Sequence, residues 1–137
     1  VNSSSTSTHK KKVQSINADI TLTNEDSGKV FMLDAAGGTV AITLPTASTG
    51  EDGVYYKFIV EEETPSNAIT IAAGSAIVSF VQKDAGGDAS NSTAGTQVSN
   101  IVIGTSAEKG DVVELMFTKG EYVGTVFSGI NNAITTS

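Results

Sequence analysis

An all-β fold is what this sequence predicts: a single-domain sandwich or barrel, jelly-roll-like, of short antiparallel strands, with a flexible N-terminal arm. Three observations predict it. Apolar residues recur with a period of two, as where Val40, Ile42 and Leu44 alternate with Ala41 and Thr43, and that period puts each set on one side of a sheet. The apolar runs are short and are punctuated by glycine, proline, asparagine and aspartate. No window of helical length carries a helical apolar stripe, and the best helix candidate is a single turn at 106–109.

Each segment follows in order. Residues 1–12 are Ser, Thr and Asn followed by Lys10, Lys11 and Lys12. They lack apolar periodicity and read as an arm outside the fold. The β domain is expected over 13–130, with strands at 19–23, 29–34, 40–44, 54–61, 69–72, 77–82, 98–103, 112–118 and 122–127. In 54–61, Val54, Tyr56, Phe58 and Val60 share one face, and Tyr55, Lys57, Ile59 and Glu61 the other. Residues 30–33 are apolar at every position, so that strand is expected to contact protein on both faces.

The turns are explicit. Ala35-Ala36-Gly37-Gly38 is expected to close a hairpin, and Lys119-Gly120 another, with glycine supplying the positive φ a tight turn needs. Pro45 ends the third expected strand because it cannot donate to a ladder. Residues 83–96 are rich in Gly, Ser, Asp and Asn and read as a long surface loop. Residues 131–137 read as a frayed tail.

Composition narrows the function. The chain of 137 residues is one domain in size and long enough to bury most of its unfolded surface. It has no arginine, and its net charge of -7 opposes the phosphate contacts nucleic-acid binding requires. No cysteine is present, which excludes disulfides, thiolate metal sites and cysteine nucleophiles. No apolar run approaches a membrane span, and none follows the lysine triplet in the manner of a signal peptide. Neither nucleic acid nor membrane is therefore expected as a partner.

Candidate chemistry is thin. His9, the sole histidine, lies in the arm, where nothing rigid would fix its tautomer. Glu61, Glu62 and Glu63 are consecutive, so on a strand they point to alternating faces and do not converge. Asp84, Asp88 and Asn91 could offer oxygen ligands from a loop, but their spacing matches no calcium-binding loop. Glu51 and Asp52 lie between Gly50 and Gly53 and read as a turn. Gly37-Gly38 and Gly86-Gly87 precede no helix that would receive a phosphate. Asn2-Ser3-Ser4 and Asn91-Ser92-Thr93 fit the glycosylation sequon, a motif too short to be a strong signal. Tyr55, Tyr56 and Tyr122 are candidates for a sugar platform or, more simply, for cross-strand packing. No catalytic, cofactor-binding or metal-binding residue is assigned, no cofactor is expected, and binding without turnover is the expected activity. Lys10, Lys11 and Lys12 are the candidate partner-binding residues, a basic arm on an acidic body.

Residues 26–60 resemble a β-rich module of bacteriophage virion proteins, especially small head-decoration (cement) proteins and some fibre-associated domains. The resemblance rests on Asp26-Ser27-Gly28-Lys29, Phe31-Met32-Leu33, Gly38 before Val40 to Pro45, and Gly53 before Tyr56-Lys57-Phe58-Ile59-Val60. A hairpin around 117–123 is similar to the family's last one, with Tyr122 where that family often has tryptophan. The resemblance implies a capsid decoration protein on the outer surface of a phage head. It implies the major capsid protein as partner, a homotrimer as the assembly, and stabilisation of the shell as the task. A carbohydrate- or receptor-binding domain of a fibre or adhesin is the alternative.

Overall fold

The computed structural model describes residues 10–74, 76–85 and 98–137, and its strands form two mixed sheets packed as one β-sandwich domain. The strands are β1 (Val13–Ile16), β2 (Ile20–Thr21), β3 (Val30–Leu33), β4 (Val40–Thr43), β5 (Tyr55–Val60) and β6 (Ile69–Ala72), followed by β7 (Ile77–Lys83), β8 (Asn100–Ile103), β9 (Val112–Thr118), β10 (Glu121–Phe127) and β11 (Ile134–Thr136). One sheet has the order β1-β3-β5-β9-β10-β7, the other β11-β8-β6-β4-β2.

From β1 to β9 the chain passes to the opposite sheet after every strand. From β1 to β6, neighbours within a sheet are therefore two strands apart in sequence, and both run the same way. Parallel pairing joins β1 to β3, β3 to β5, β2 to β4, β4 to β6 and β10 to β7. Only β9–β10, β8–β11, β5–β9 and β6–β8 are antiparallel among the strand pairs. The expected antiparallel jelly roll is thus corrected to a coil that finishes in antiparallel strands. The strand of the opposite layer supplies the long crossover that a parallel pair needs.

The same winding corrects the turn at Ala35. Residues 35–38 do not close a hairpin, because β3 and β4 belong to different sheets. The turn carries the chain across the layers, and the Ala35 amide donates to Glu62 while its carbonyl accepts from Asn67. The Lys119-Gly120 hairpin is observed, with φ of 53° and 86°, the left-handed pair that suits a two-residue turn. Residues 106–109 form no helix; the one short helix described is a 3-10 turn, Asn24–Asp26. The expected tail 131–137 is also corrected: β11 pairs with β8, and Ala133 and Ile134 are buried. Strand β1 was not anticipated; only Ile16 in it is buried.

The core lies between the sheets. Ile42, Ile69, Ile71, Ile101 and Ile103 face it from the five-stranded sheet, all essentially inaccessible. Aromatic rings line it from the other side. Phe31 stacks on Phe58 at 5.4 Å, and Phe117 meets Tyr122 edge-on at 5.0 Å. Burying such rings contributes roughly 1.5–3 kcal/mol each, and ring pairs add about 0.5–1.5 kcal/mol.

The two outer faces differ. That of the five-stranded sheet carries Thr21, Ala41, Thr43, Thr70 and Ala72. That of the six-stranded sheet carries Val30, Met32, Ile59 and Val123, half-buried, among larger exposed residues. The expectation that residues 30–33 are covered on both sides is therefore met only on the inner side, where Phe31 and Leu33 are buried.

Candidate functional site

The three lysines assigned to partner binding lie on exposed backbone leading into β1. The Lys12 carbonyl accepts a hydrogen bond from the Val30 amide at 2.9 Å. Strand β1 adds to the edge of the six-stranded sheet beside β3, so this contact fixes where the arm departs. Among the described residues, the ion pairs are Lys29–Asp26 and Lys57–Glu114, and neither uses an arm lysine. Positive charge at Lys10, Lys11 and Lys12 is thus presented outward. His9 lies outside the described residues.

The tyrosines do not form a platform. Tyr56 and Tyr122 are fully buried, on the inward face of their strands. Their hydroxyls donate to the carbonyls of Thr23 and Pro45, each at 2.7 Å. Burial pushes both phenols well above the usual tyrosine range, and the Asp26 charge adds to the rise at Tyr56 as the Tyr56 phenol does at Tyr122. Tyr55 alone faces outward, half-buried; burial first and the Glu114 charge second raise its pKa.

These two buried hydroxyls anchor the walls of a cleft at one end of the sandwich. Where the paired strands β2 and β4 end, at Thr21 and Thr43, lies a space of about 270 Å³. Thr23, Asn24, Pro45, Thr46 and Thr49 line it together with the strand ends. The Asn24 amide spans it by donating to the Thr49 carbonyl at 2.8 Å. Its surface is neutral and mostly apolar, and a volume of this size is small for a ligand site.

Carboxylates close to the fold are engaged in holding turns. The three consecutive glutamates act separately: Ser15 donates to Glu61, Ala35 to Glu62, and the Lys109 amide to the Glu63 carbonyl. Asp52 accepts from the Lys119 amide at 2.8 Å and ties two turns together. Asp84 accepts from the Asn132 amide at 3.1 Å; Asp88 and Asn91, the other oxygen donors considered, lie outside the described residues. Burial raises the Asp26 pKa, but the Lys29 hydrogen bond, the Thr23 amide and the lysine charge outweigh it, and the carboxyl sits below its ordinary value.

Asp111 escaped the sequence reading. It is 6% exposed, and its two oxygens accept from the Glu108 amide, the Ser128 hydroxyl and the Gly129 amide. Three donors on a buried carboxylate make it a clamp between two loops. Its single signal in the sequence is a polar residue directly before an alternating apolar run. Among the described residues no group of three or more His, Cys, Asp or Glu side chains is placed to hold a metal ion. The arrangement offers surfaces for contact: a cationic arm, a Thr-rimmed cleft and two broad sheet faces. No protein-family model matches this chain, and no curated protein matches its sequence.

Proposed function

We propose that this chain is a structural virion protein that decorates and stabilises the outside of a phage capsid. In this reading it binds the major capsid protein and further copies of itself, with the arm at Lys10, Lys11 and Lys12 as part of the latch. The observation that carries it is the pattern of turns and apolar positions over residues 26–60. The exposed lysines ahead of β1 support it, because a cationic arm on a body of net charge -7 suits an acidic groove on a partner. The homotrimer is implied by the resemblance alone. Many weak contacts through a multimer would give avidity without tight individual sites.

The sugar-binding alternative loses its aromatic cluster, since only Tyr55 of the three tyrosines faces outward. The test of decoration is direct. Purified protein mixed with expanded phage shells should add at fixed stoichiometry, and failure to bind with the arm intact overturns the reading. Removing residues 1–11 should weaken attachment while melting stays unchanged. The deletion stops short of Lys12, whose carbonyl belongs to the β1–β3 seam.

A further inference from the structure

The outer face of the six-stranded sheet carries every large hydrophobic that is exposed among the described residues. These are Val13, Val81, Met116 and Phe127, at 62%, 55%, 44% and 49% exposure. Within its strands the face also carries Lys57, Lys83, Glu114 and Glu121. Those charges cancel, so the whole excess of -7 is carried elsewhere. A neutral, apolar sheet face on an otherwise acidic body marks an interaction site.

We infer that this face binds the same face of a second copy, across a two-fold axis that runs along the strands between β5 and β9. The order β1-β3-β5-β9-β10-β7 places that axis at the middle of the sheet. It sets β5 against the partner copy's β9, β3 against β10, and β1 against β7. The strand register then decides which side chains meet. Lys57 lies directly beside Glu114, their side chains 3.4 Å apart, and the axis passes between them. Each lysine therefore faces the other copy's glutamate, and two ion pairs cross the interface.

The flanking rows are self-complementary by the same operation. Ile59 is registered with Val112 and meets it across the axis. One strand further out, Met32 meets Phe127, as the pairings Met32–Ile59 and Val112–Phe127 require. On the other side Tyr55 meets Met116. At the margins Val13 meets Val81, each registered with the central row through Val30 and Thr125. In these rows apolar residues fall on apolar residues and the two central charges fall on their opposites, as an isologous contact demands, while Lys83 falls on Ser15 and Val30 on Thr125.

The area is sufficient. Six strands at ~4.8 Å spacing and roughly 20 Å of strand length give about 500 Å² per copy, or about 1,000 Å² for the pair, the threshold of a specific interface. Facing sheets keep their strands within about 30° of each other, so the central contacts survive sheet twist. Apart from Glu114 and Glu121, the described acidic groups lie outside the strands of this face, where salt screens them. This inference stands apart from the decoration reading and from the trimer implied there.

The test is the mass of the full chain in solution by sedimentation equilibrium, up to ~100 µM. The wild type should weigh about twice 14.0 kDa. Lys57→Glu and Glu114→Lys should each raise the dissociation constant by at least ~100-fold, because like charges then face each other twice. Mixed in equal amounts the two variants should recover the dimer, since each presents the charges the other lacks. A wild-type monomer or trimer overturns the inference. So does a folded single variant that dimerises as the wild type does, or a mixture that stays monomeric. If a charge variant fails to fold, Met116→Lys carries the same test, and a folded, fully dimeric Met116→Lys protein overturns the inference equally.

Discussion

Gly124 occupies the middle of β10, where a strand glycine has no conformational excuse. Its cause is a close approach of backbone. A Cβ built there would lie 1.7 Å from the Glu114 carbonyl oxygen, 2.8 Å from that carbonyl carbon and 3.1 Å from the Leu115 Cα. All three atoms belong to the backbone of β9, so no rotamer change relieves the contact. Clearing the oxygen moves β10 by about 1.5 Å, which stretches a hydrogen bond of about 2.9 Å past its useful range. Overpacking costs about 1–3 kcal/mol, and two lost ladder bonds cost about 1 kcal/mol each. Gly124→Ala should therefore destabilise by about 3–5 kcal/mol, against a total of about 5–15 kcal/mol for a natural domain. Urea unfolding followed by far-UV circular dichroism reads this as a lower midpoint at constant slope. Gly37→Ala is the matched control: nothing lies within 4 Å of its added carbon, and it should change stability by no more than about 1 kcal/mol. A Gly124→Ala protein within about 1 kcal/mol of wild type would refute the steric account.

Three further outcomes follow from buried or paired groups. Tyr122→Phe removes the hydroxyl that donates to the Pro45 carbonyl at 2.7 Å and leaves that carbonyl buried and unbonded; it should cost about 1–3 kcal/mol in urea unfolding, whereas the outward Tyr55→Phe should cost less than about 0.5 kcal/mol. Tyr56 and Tyr122 have pKa values raised above 10.0 by burial, so their contribution is fully present below pH 10.0 and is lost as pH rises through the folded value. Their phenolate absorbance should appear only together with loss of the β-sheet dichroism, and ionisation of all three tyrosines in a folded chain would contradict the burial. Asp26 has a pKa below 3.8, so its contribution is present above pH 3.8 and fades as pH falls through the folded value. Asp26→Asn should flatten the acid limb of the stability curve, and an unchanged acid limb would show the Lys29 pairing to be idle.

The strands themselves were readable because a half-buried strand writes its two faces into alternate residues. Ile69–Ala72 and Val112–Thr118 are the clearest cases, found where the alternation of Ile69, Ile71, Val113, Leu115 and Phe117 places them. Strand order left no such trace. Alternation says which side of a strand is buried and is silent on which strand lies beside it, so it does not separate a coil between layers from antiparallel neighbours. The Ala35 turn shows the ambiguity: two glycines between strands serve a hairpin or an interlayer crossing equally well. Strands β1 and β11 were missed because each buries so little, Ile16 in one and Ile134 in the other. The arm lysines were found from charge alone, while Asp111 was hidden because its partners Ser128 and Gly129 come from a distant stretch of chain. The all-apolar run at 30–33 was informative in a way the strand assignment did not exhaust, since its outward half has no cover within the described chain.

That outward half leads back to the Lys57–Glu114 pair. Within one copy, an exposed cross-strand ion pair contributes at most about 1 kcal/mol, little reason to interrupt an apolar face. Two aliphatic residues would extend the patch formed by Met32, Ile59, Val112 and Phe127. They would also leave a sheet face able to meet any other apolar surface in any register, the condition under which β proteins aggregate. A central pair of opposite charges changes both outcomes. Facing a surface without the matching pair, the charges lose water and gain nothing. Facing the rotated copy, each finds its opposite, in one register and one orientation. The pair sits where the parallel strands β1-β3-β5 meet β9, which runs antiparallel to β5. That seam is the middle of the six strands, the one place where a two-fold axis running along the strands brings the whole face onto itself.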